Sequence, residues 1–250
     1  MNRAICLNAD LGELPGARGR ALDAEMLAVV TRCNIACGGH AGDEESMRET
    51  LRCAAVNGVR SGAHPSYPDI EHFGRRSLTM PREALAAALS QQVAALVAIA
   101  AEEGVRLAHL KAHGALYNDA ALDGDLAVLI ANLARSSGIG EVIGPPKGVM
   151  RQAVEAAGLR FVAEGFADRS YETDGTLTPR ALPGAVLENS EGMLEQALGF
   201  IQEAAVRVRG GGRIELSIDT LCLHGDTPGA AEHARAIRRG LEAAGIEVRA

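Results

Sequence analysis

Four short apolar runs of this chain each end in a histidine with a glycine close by, and this recurrence restricts the fold more than any other feature. The histidines are His40, His64, His113 and His224. The strands of a parallel sheet present their carboxyl ends at one edge, where α/β proteins place binding and catalytic groups. If the four runs are parallel strands, the four histidines therefore lie at the same edge of one sheet.

The segment 34–43, Asn-Ile-Ala-Cys-Gly-Gly-His-Ala-Gly-Asp, is the strongest of these four patterns, because it contains three glycines. Glycine loses more backbone entropy on folding than other residues and offers no side chain to bury. Such a density of glycine therefore indicates tight backbone geometry or the close approach of a ligand. Asp43 has two interpretations: it is a site residue, or it is the N-cap of the helix predicted next, where a carboxylate accepts a backbone N–H.

Apolar stretches alternate with helical patterns along the whole chain. Strands are predicted at residues 3–7, 34–36, 59–63, 105–111, 141–143, 159–163 and 214–223, with a short edge strand at 184–187. Helices are predicted at residues 22–31, 44–57, 81–103, 119–137, 147–157, 190–208 and 228–244. Seven strand–helix units joined by right-handed crossovers predict a closed or nearly closed α/β barrel, and an open doubly wound sheet is the alternative. No break in composition suggests a linker, so we expect residues 1–250 to form a single domain.

The composition fits a helix-covered parallel sheet and narrows the range of partners. Hydrophobic residues make up 47% of the chain but aromatic residues only 3%, so Ala, Leu, Val and Ile must form the core. The 25 Lys and Arg against 32 Asp and Glu give a formal charge of −7, which argues against nucleic acid and anionic membranes as partners. The five cysteines lie within apolar runs, which is typical of a reduced cytoplasmic protein. We find no signal-like segment and no run of 18 apolar residues, and therefore expect a cytoplasmic protein that enters no membrane.

Polar side chains collect where the predicted strands end. They are Asn8, Asp10, Glu13, Asn34, His40, Asp43, His64, Lys111, His113, Asn118, Glu164, Asp168, Arg169, His224 and Asp226. A single histidine in such a place is more often a hydrogen-bonded structural residue. Four histidines in equivalent places, together with these carboxylates, favour one shared site.

Two kinds of chemistry suit these residues. Asp10, His40 and His64 come from three consecutive strand ends and form the metal-binding trio that we expect if a metal is present. Histidine ligands would select zinc or another transition metal, which would polarise a carbonyl or lower the pKa of a bound water. Without a metal, Asp10 or His113 would act as general base and Lys111 would stabilise developing negative charge. The residues alone leave both chemistries open.

Seven blocks of sequence, in order from residue 2 to nearly 250, resemble the LamB/YcsF family. The blocks are residues 7–13, 34–43, 62–69, 73–76, 111–118, 164–171 and 224–226. Three residues depart from the usual family pattern: Ala9 replaces a frequent Cys, Gly39 a usual aromatic residue and Ala112 a usual Pro. All three adjoin site residues without replacing a titratable group, so we expect them to change the shape of the pocket.

The resemblance implies a seven-stranded α/β barrel of the glycoside hydrolase and deacetylase type. It also implies ATP-dependent opening of the 5-oxoproline (pyroglutamate) lactam to L-glutamate, in a complex of this chain with two further subunits, called B and C. ATP would act with Mg²⁺ as a co-substrate. The chain contains neither Gly-x-x-x-x-Gly-Lys-Ser/Thr nor Gly-x-Gly-x-x-Gly. We therefore expect ATP to be bound jointly with, or largely by, the partner subunits.

The expected site combines the family motif positions with the chemistry of each residue. The catalytic residues are expected to be Asp10, His40, Lys111 and His113. The substrate-binding residues are expected to be Asn8, Glu13, His64, Arg75, Asn118, Asp168, Arg169 and His224. Two other functions stay open: a metal-dependent deacetylase or amidohydrolase acting on a sugar or small amide, and a non-catalytic protein of the complex that binds substrate.

Overall fold

The structure is a computed structural model that describes residues 3–225 and 229–250. The strands are β1 (Arg3–Leu11), β2 (Arg32–Ala36), β3 (Arg60–His64), β4 (His109–Lys111), β5 (Glu141–Gly144), β6 (Arg160–Phe166), β7 (Ala205–Arg207), β8 (Arg213–Glu215), β9 (Thr220–Cys222) and β10 (Ile246–Val248). The helices are α1 (Gly16–Leu27), α2 (Glu44–Val56), α3 (Arg82–Glu102), α4 (Gly114–Leu122), α5 (Gly124–Ser136), α6 (Met150–Ala156), α7 (Ser190–Glu203) and α8 (Ala230–Ala243).

Seven parallel strands close into a barrel. Strands β1 to β6 pair in sequence order, β6 pairs with β9, and β9 returns to β1, where Cys222 lies opposite Asn8. The predicted closed α/β barrel is therefore confirmed and the open doubly wound sheet is wrong. The short strand β10 adds to the amino-terminal half of β1, with Ile246 opposite Arg3. Sequence analysis missed β10 because three residues carry too little periodicity to reveal a strand.

The side chains of β1 alternate between two environments, as expected for a strand. Leu7, Ala9 and Leu11 are fully or almost fully buried in the apolar core between the sheet and the helices. Asn8 and Asp10 lie on the opposite face, inside the barrel. This alternation separates an apolar outer layer, which holds the helices, from a polar interior.

Several predicted boundaries differ from the structure for identifiable reasons. The helix predicted at 119–137 is divided into α4 and α5, because the side chain of Asp123 accepts N–H bonds and begins a new helix. Helix α7 ends where Ala204 adopts a left-handed conformation, with φ of 50°, and the chain continues as β7. The strand predicted at 214–223 is divided into β8 and β9. The edge strand predicted at 184–187 is reduced to one bridge between Arg169 and Val186.

The long alanine-rich helix α3 is the one described helix that is long and apolar enough to cross a membrane. It contains no run of 18 apolar residues, as expected, because Ser90, Gln91 and Gln92 interrupt it. The helix packs on the barrel instead, with Leu85, Leu89, Val93 and Leu96 buried in the core. Its hydropathy comes from Leu, Val and Ile as well as from many alanines, whose small side chains suit a helix lying between a sheet and its neighbours.

The amino-terminal end of the barrel contains an ion cluster around Glu141. Arg32, which is 3% exposed, contacts the Glu141 carboxylate through Nη1. Arg60 Nη2 and Arg160 Nη1 lie 3.2 and 3.5 Å from the same carboxylate. Burial acts to raise the pKa of Glu141, but the hydrogen bond and charge of Arg32, helped by the other two arginines, lower it overall. Glu141 is therefore held as an ionised partner of the three arginines.

Candidate functional site

A buried lysine lies at the centre of the polar interior near the carboxyl ends of the strands. Lys111 Nζ, on β4, lies 2.9 Å from Asp10 Oδ1, 2.9 Å from Glu164 Oε1 and 3.3 Å from Cys222 Sγ. Burial acts to lower the pKa of Lys111, but the charge of Asp10 and its neighbours raises the pKa well above its ordinary value. Lys111 is therefore a permanent buried cation that joins strands from opposite sides of the barrel.

Asp10 is the carboxylate that links this lysine to the histidines. Its Oδ1 accepts from Lys111 and from Asn34 Nδ2 at 2.8 Å, and its Oδ2 lies 3.4 Å from His64 Nε2. Burial acts to raise the pKa of Asp10, but the neighbouring His64 and Lys111 side chains lower the pKa well below its ordinary value. Asp10 is thus ionised, with Oδ1 fully engaged and Oδ2 more weakly held.

An amide and a neutral histidine support Asp10 from within the barrel. Asn34 Nδ2 also donates to Asn8 Oδ1 at 2.8 Å, while Asn34 Oδ1 lies 2.8 Å from His109 Nε2. Burial lowers the pKa of His109 well below its ordinary value, so this ring is neutral and donates its Nε2–H to the amide oxygen. Gly62 makes room for the ring, because a Cβ there would lie 2.3 Å from His109.

Three histidines meet above Asp10. His64 Nδ1 lies 2.8 Å from the carbonyl oxygen of Lys111, and His113 Nε2 lies 3.0 Å from the carbonyl oxygen of Phe73. The other nitrogens of these two rings, His64 Nε2 and His113 Nδ1, face one another at 3.0 Å. The His40 ring stacks on His113, with ring centres 3.6 Å apart and an interplanar angle of 2°.

Glu13 approaches all three histidines with a single oxygen. Its Oε1 lies 2.9 Å from His40 Nε2, 3.3 Å from His113 Nδ1 and 3.8 Å from His64 Nε2. Burial acts to raise the pKa of Glu13, but the His113 and His40 side chains beside it lower the pKa overall. Burial lowers the pKa of His40 to about 4. Burial also lowers the pKa of His113. At neutral pH Glu13 is therefore an ionised carboxylate beside two rings, His40 and His113, that resist protonation.

The segment 65–76 covers this cluster. Phe73 has a positive φ of 55°, a conformation that costs a residue with a side chain about 1–3 kcal/mol. The following Gly74 has φ of 62°, and its carbonyl oxygen accepts from the N–H of Ala115 at 2.9 Å. A Cβ at Gly74 would lie 3.0 Å from His40 Cβ and 3.1 Å from His113 Cδ2. The strained turn therefore places backbone directly against the histidines.

Gly39 shows how the pocket of this chain is shaped. A Cβ at this position would lie 2.3 Å from Gln92 Oε1 and 2.5 Å from Ser66 Oγ. Gln92, from α3, bonds the backbone of Ser66 in both directions, accepting at 3.0 Å and donating at 2.9 Å. A larger residue at position 39 would displace this bridge.

The family model for LamB/YcsF matches residues 5–250 of the chain. The chain belongs to the LamB/YcsF family. The 5-oxoprolinase A subunit of Methylococcus capsulatus is 46% identical to it over 251 residues, covering 100% of this chain and 96% of that protein. The 5-oxoprolinase A subunit of Bacillus subtilis is 43% identical, covering 98% and 96%. The crystal structure of a lactam utilization protein from Thermus thermophilus matches with a TM-score of 0.89 and 38% identity, covering 99% of both chains.

A second acid–histidine pair lies on the β6 and β9 side of the LamB/YcsF barrel. His224 Nδ1 lies 2.7 Å from Asp168 Oδ2, and the His224 ring stacks on Phe166 with centres 5.5 Å apart. Burial acts to raise the pKa of Asp168, but the charge and hydrogen bond of His224 lower it. This pair fixes the orientation of the His224 ring. Asp226, the last residue of the seventh LamB/YcsF block, lies outside the described residues.

Other expected site residues of this LamB/YcsF chain make local contacts in the structure. Arg169 is buried and donates to the carbonyl oxygens of Ala185 and Thr178, so its contacts hold a loop. Asn118 is exposed on α4 and donates to the Gly114 carbonyl oxygen. Arg75 is exposed, with its guanidinium 4.8 Å from the Phe73 ring centre. Asp43 caps α2, as one of its two interpretations predicted, and accepts from Ser46 N at 2.8 Å.

Sequence analysis of this LamB/YcsF chain assigned no role to four residues that the structure places in the barrel interior. Asn34 and Glu164 are recognisable at strand ends but have no role assigned there, and His109 and Cys222 have none either. One signal could have found them: polar residues two apart on a barrel strand point to the same interior. His109 and Lys111 on β4 have this spacing, as do Asn8 and Asp10 on β1.

Proposed function

We propose that this LamB/YcsF chain is the A subunit of an ATP-dependent 5-oxoprolinase, which opens the 5-oxoproline lactam to L-glutamate. The names of its full-length relatives and the lactam utilization protein of the same fold support the substrate class. The observation that carries the proposal is the buried Lys111–Asp10 pair beneath three histidines at the carboxyl edge of the barrel. Such a pair offers a fixed positive charge and an ionised carboxylate to one small substrate.

The chemistry of a lactam explains why ATP would be needed. Resonance makes the ring amide a poor electrophile, and transfer of a phosphoryl group to its oxygen would activate the carbonyl carbon. Water would then add to that carbon and the ring nitrogen would leave. Hydrolysis of the resulting acyl phosphate would release L-glutamate and inorganic phosphate.

Among the expected roles, we favour Asp10 as the general base. Its Oδ2 is the weakly held oxygen of an ionised carboxylate, whereas the Nδ1 lone pair of His113 already faces His64. Lys111 would stabilise negative charge on the substrate, and His40 would do so if its N–H turned from Glu13 to the substrate. Arg75 or Arg169 would hold the substrate carboxylate, which a guanidinium can bind in bidentate fashion.

ATP with Mg²⁺ would be bound jointly with, or largely by, the B and C partners. The chain has neither of the two nucleotide-binding glycine motifs considered above. A Gly-Pro-Pro-Lys stretch before α6 contains Lys147, but its ammonium is engaged within the chain. Lys147 Nζ donates to the carbonyl oxygen of Asp174 at 3.2 Å. We further propose that the complex works in the cytoplasm.

The test is release of glutamate from 5-oxoproline with ATP and Mg²⁺. The chain alone, candidate partners alone and the reconstituted mixture are compared. We expect release only from the mixture. Turnover by the isolated chain would refute the division of labour among subunits, and no release from a verified assembly would refute the 5-oxoprolinase assignment.

Two other functions predict different experimental results. A metal-dependent deacetylase or amidohydrolase on a sugar or small amide is favoured by the grouping of Glu13 with three histidines, whose donor atoms all lie within 4.8 Å of one another. It would hydrolyse its substrate without ATP. A non-catalytic substrate-binding role would be supported if the complex kept its activity after simultaneous Asp10→Ala and His113→Ala changes.

A further inference from the structure

The hydrogen bonds of two histidines define where their protons lie. A carbonyl oxygen only accepts, so His64 must donate its Nδ1–H to Lys111 O, and His113 must donate its Nε2–H to Phe73 O. In the neutral rings, His64 Nε2 and His113 Nδ1 therefore carry lone pairs and no proton. These two acceptors nevertheless face one another at 3.0 Å. An arrangement of this kind requires a cation between them or next to them.

The charges around the histidines point the same way. Asp10, Glu13 and Glu164 are three carboxyl groups whose side chains are at most 10% exposed. Lys111 pairs with Asp10 and Glu164, and among the described residues it is the only lysine or arginine that pairs with any of the three. The formal sum is one positive against three negative charges, or −2, which a dication would neutralise. Buried charges that lack a partner are strongly unfavourable.

The separations match those of ligands around one ion. Donors held about 2.1 Å from a tetrahedral ion lie about 3.4 Å apart. The pairs His64–His113, His113–Glu13 and His64–Glu13 are separated by 3.0, 3.3 and 3.8 Å between the facing atoms. The segments that supply them are β1, β3 and β4 with their following loops, so the barrel itself holds the three donors together.

We propose that His64 Nε2, His113 Nδ1 and Glu13 Oε1 bind a transition-metal dication such as Zn²⁺. Two imidazoles and one carboxylate suit such an ion better than Mg²⁺, which prefers an oxygen shell. A three-residue set leaves a coordination position for a small ligand.

His40 has a supporting role in this site. Its ring is parallel to that of His113 at 3.6 Å, so the two rings cannot both direct a lone pair at one ion. His40 Nε2 instead lies 2.9 Å from Glu13 Oε1 and orients the carboxylate. The proposed ligands differ from the expected trio of Asp10, His40 and His64 in two members. Asp10 is held by Lys111 and Asn34 beside the site.

The experiment is a titration of the full chain, stripped of metal by a chelator, with Co²⁺ and then Zn²⁺. Calorimetry gives stoichiometry and affinity, and the visible absorption of Co²⁺ reports its ligands. Neither ATP, 5-oxoproline nor a partner protein is present, so the result does not depend on the proposed function. We expect one ion per chain, with Zn²⁺ displacing Co²⁺.

The variants keep the backbone hydrogen bonds and remove only the ligands. His64→Asn retains a donor for the Lys111 carbonyl, and His113→Gln retains one for the Phe73 carbonyl. These two variants and Glu13→Gln are each expected to weaken metal binding at least about 100-fold. His40→Gln is expected to weaken it about 10-fold. His233→Gln is the matched control and should bind as wild type does, because His233 lies on α8, outside the site, with its Nδ1 2.7 Å from Ser190 Oγ.

Two results would overturn the proposal. One is the absence of a stoichiometric site in the wild-type chain, which would leave a shared proton between His64 and His113. The other is undiminished binding by folded His113→Gln, checked by circular dichroism. His113 is 6% exposed and less deeply placed than His64, so this variant carries the test if His64→Asn does not fold.

Discussion

The two ends of the barrel both bury charge, but they balance it differently. At the amino end, the carboxylate of Glu141 meets Arg32 in the interior, while the side chains of Arg60 and Arg160 are 40% and 65% exposed and remain solvated. At the carboxyl end, Lys111 pairs with two shielded carboxylates, Asp10 and Glu164, while a third, Glu13, has histidines beside it.

This difference separates a structural ion cluster from a site. A buried pair whose members match each other stabilises one arrangement and needs nothing from outside. A cluster with excess negative charge and facing lone pairs is incomplete until a ligand, a proton or a metal joins it. Polar burial alone therefore does not identify function, whereas a mismatch within buried polar groups does.

The largest expected effect is on catalysis at the carboxyl end. Asp10→Asn keeps the size of the side chain but removes the base, so kcat of the reconstituted complex should fall about 10²- to 10⁴-fold. Glu141→Gln at the other end is the control and should leave kcat of the folded protein unchanged. The rate of glutamate release is measured for both variants. Equal losses of kcat would show that the two ends of the barrel do not differ in their contribution to catalysis.

The amino end should instead respond in stability. Arg32→Met leaves Glu141 without its buried partner, and breaking such a pair costs about 3–5 kcal/mol. Urea denaturation of the isolated chain measures the loss. Arg160→Met removes a solvated partner of the same carboxylate and should cost at most about 1 kcal/mol. A similar loss of stability in both variants would show that the exposure of an arginine does not determine how much it stabilises this cluster.

The sequence predicted the barrel and the meeting of histidines, because both follow from repeated local patterns. His40, His64 and His113 converge because their strands are consecutive and parallel. The partners of Lys111 could not be predicted in this way. Glu164 and Cys222 reach it across the barrel interior, and contacts of that kind depend on strand tilt and stagger, which no single segment encodes.

At the ends of helices and strands, contacts between neighbouring residues could be predicted and contacts with distant residues could not. Asp43 is predictable as a helix cap because capping depends on neighbouring residues alone. The substrate-binding role expected of Arg169 stays a prediction, but its contacts with Thr178 and Ala185 depend on how a long loop folds back. Paired polar residues on one strand face would have been the better guide to the interior.

The backbone against the histidines should be intolerant of a methyl group. Gly114 has φ of 58°, and a Cβ there would lie 2.5 Å from the carbonyl oxygen of Gly74. Gly114→Ala should therefore destabilise the chain by about 2–3 kcal/mol through backbone strain plus the clash. Gly158 has φ of 75° and open space around it, so Gly158→Ala measures the strain alone, at about 1 kcal/mol. Equal melting temperatures for the two variants would contradict the close contact.

The smallest expected effect is the change of folding stability with pH, and the sign of this change should differ between the two ends of the barrel. Burial raises the pKa of Asp23, whose Oδ2 accepts from the Gly12 N–H next to Glu13, from 3.8 to about 6. The folded chain then binds this proton more tightly than the unfolded chain. Its contribution to stability is complete below about pH 4 and is lost as pH rises through 6, by about 1–2 kcal/mol after allowance for solvent screening.

Glu141 should behave in the opposite way, since its pKa in the folded chain is lowered from 4.5. Its contribution is complete above pH 4.5 and is lost as pH falls below that value. Denaturation curves of Asp23→Asn and Glu141→Gln between about pH 3.5 and 7, the range that follows from these two pKa shifts, test both signs. Each variant should flatten one side of the stability profile, the neutral side for Asp23 and the acidic side for Glu141. If both variants changed the same side, the two ends of the barrel would not differ in how they hold their carboxyl groups.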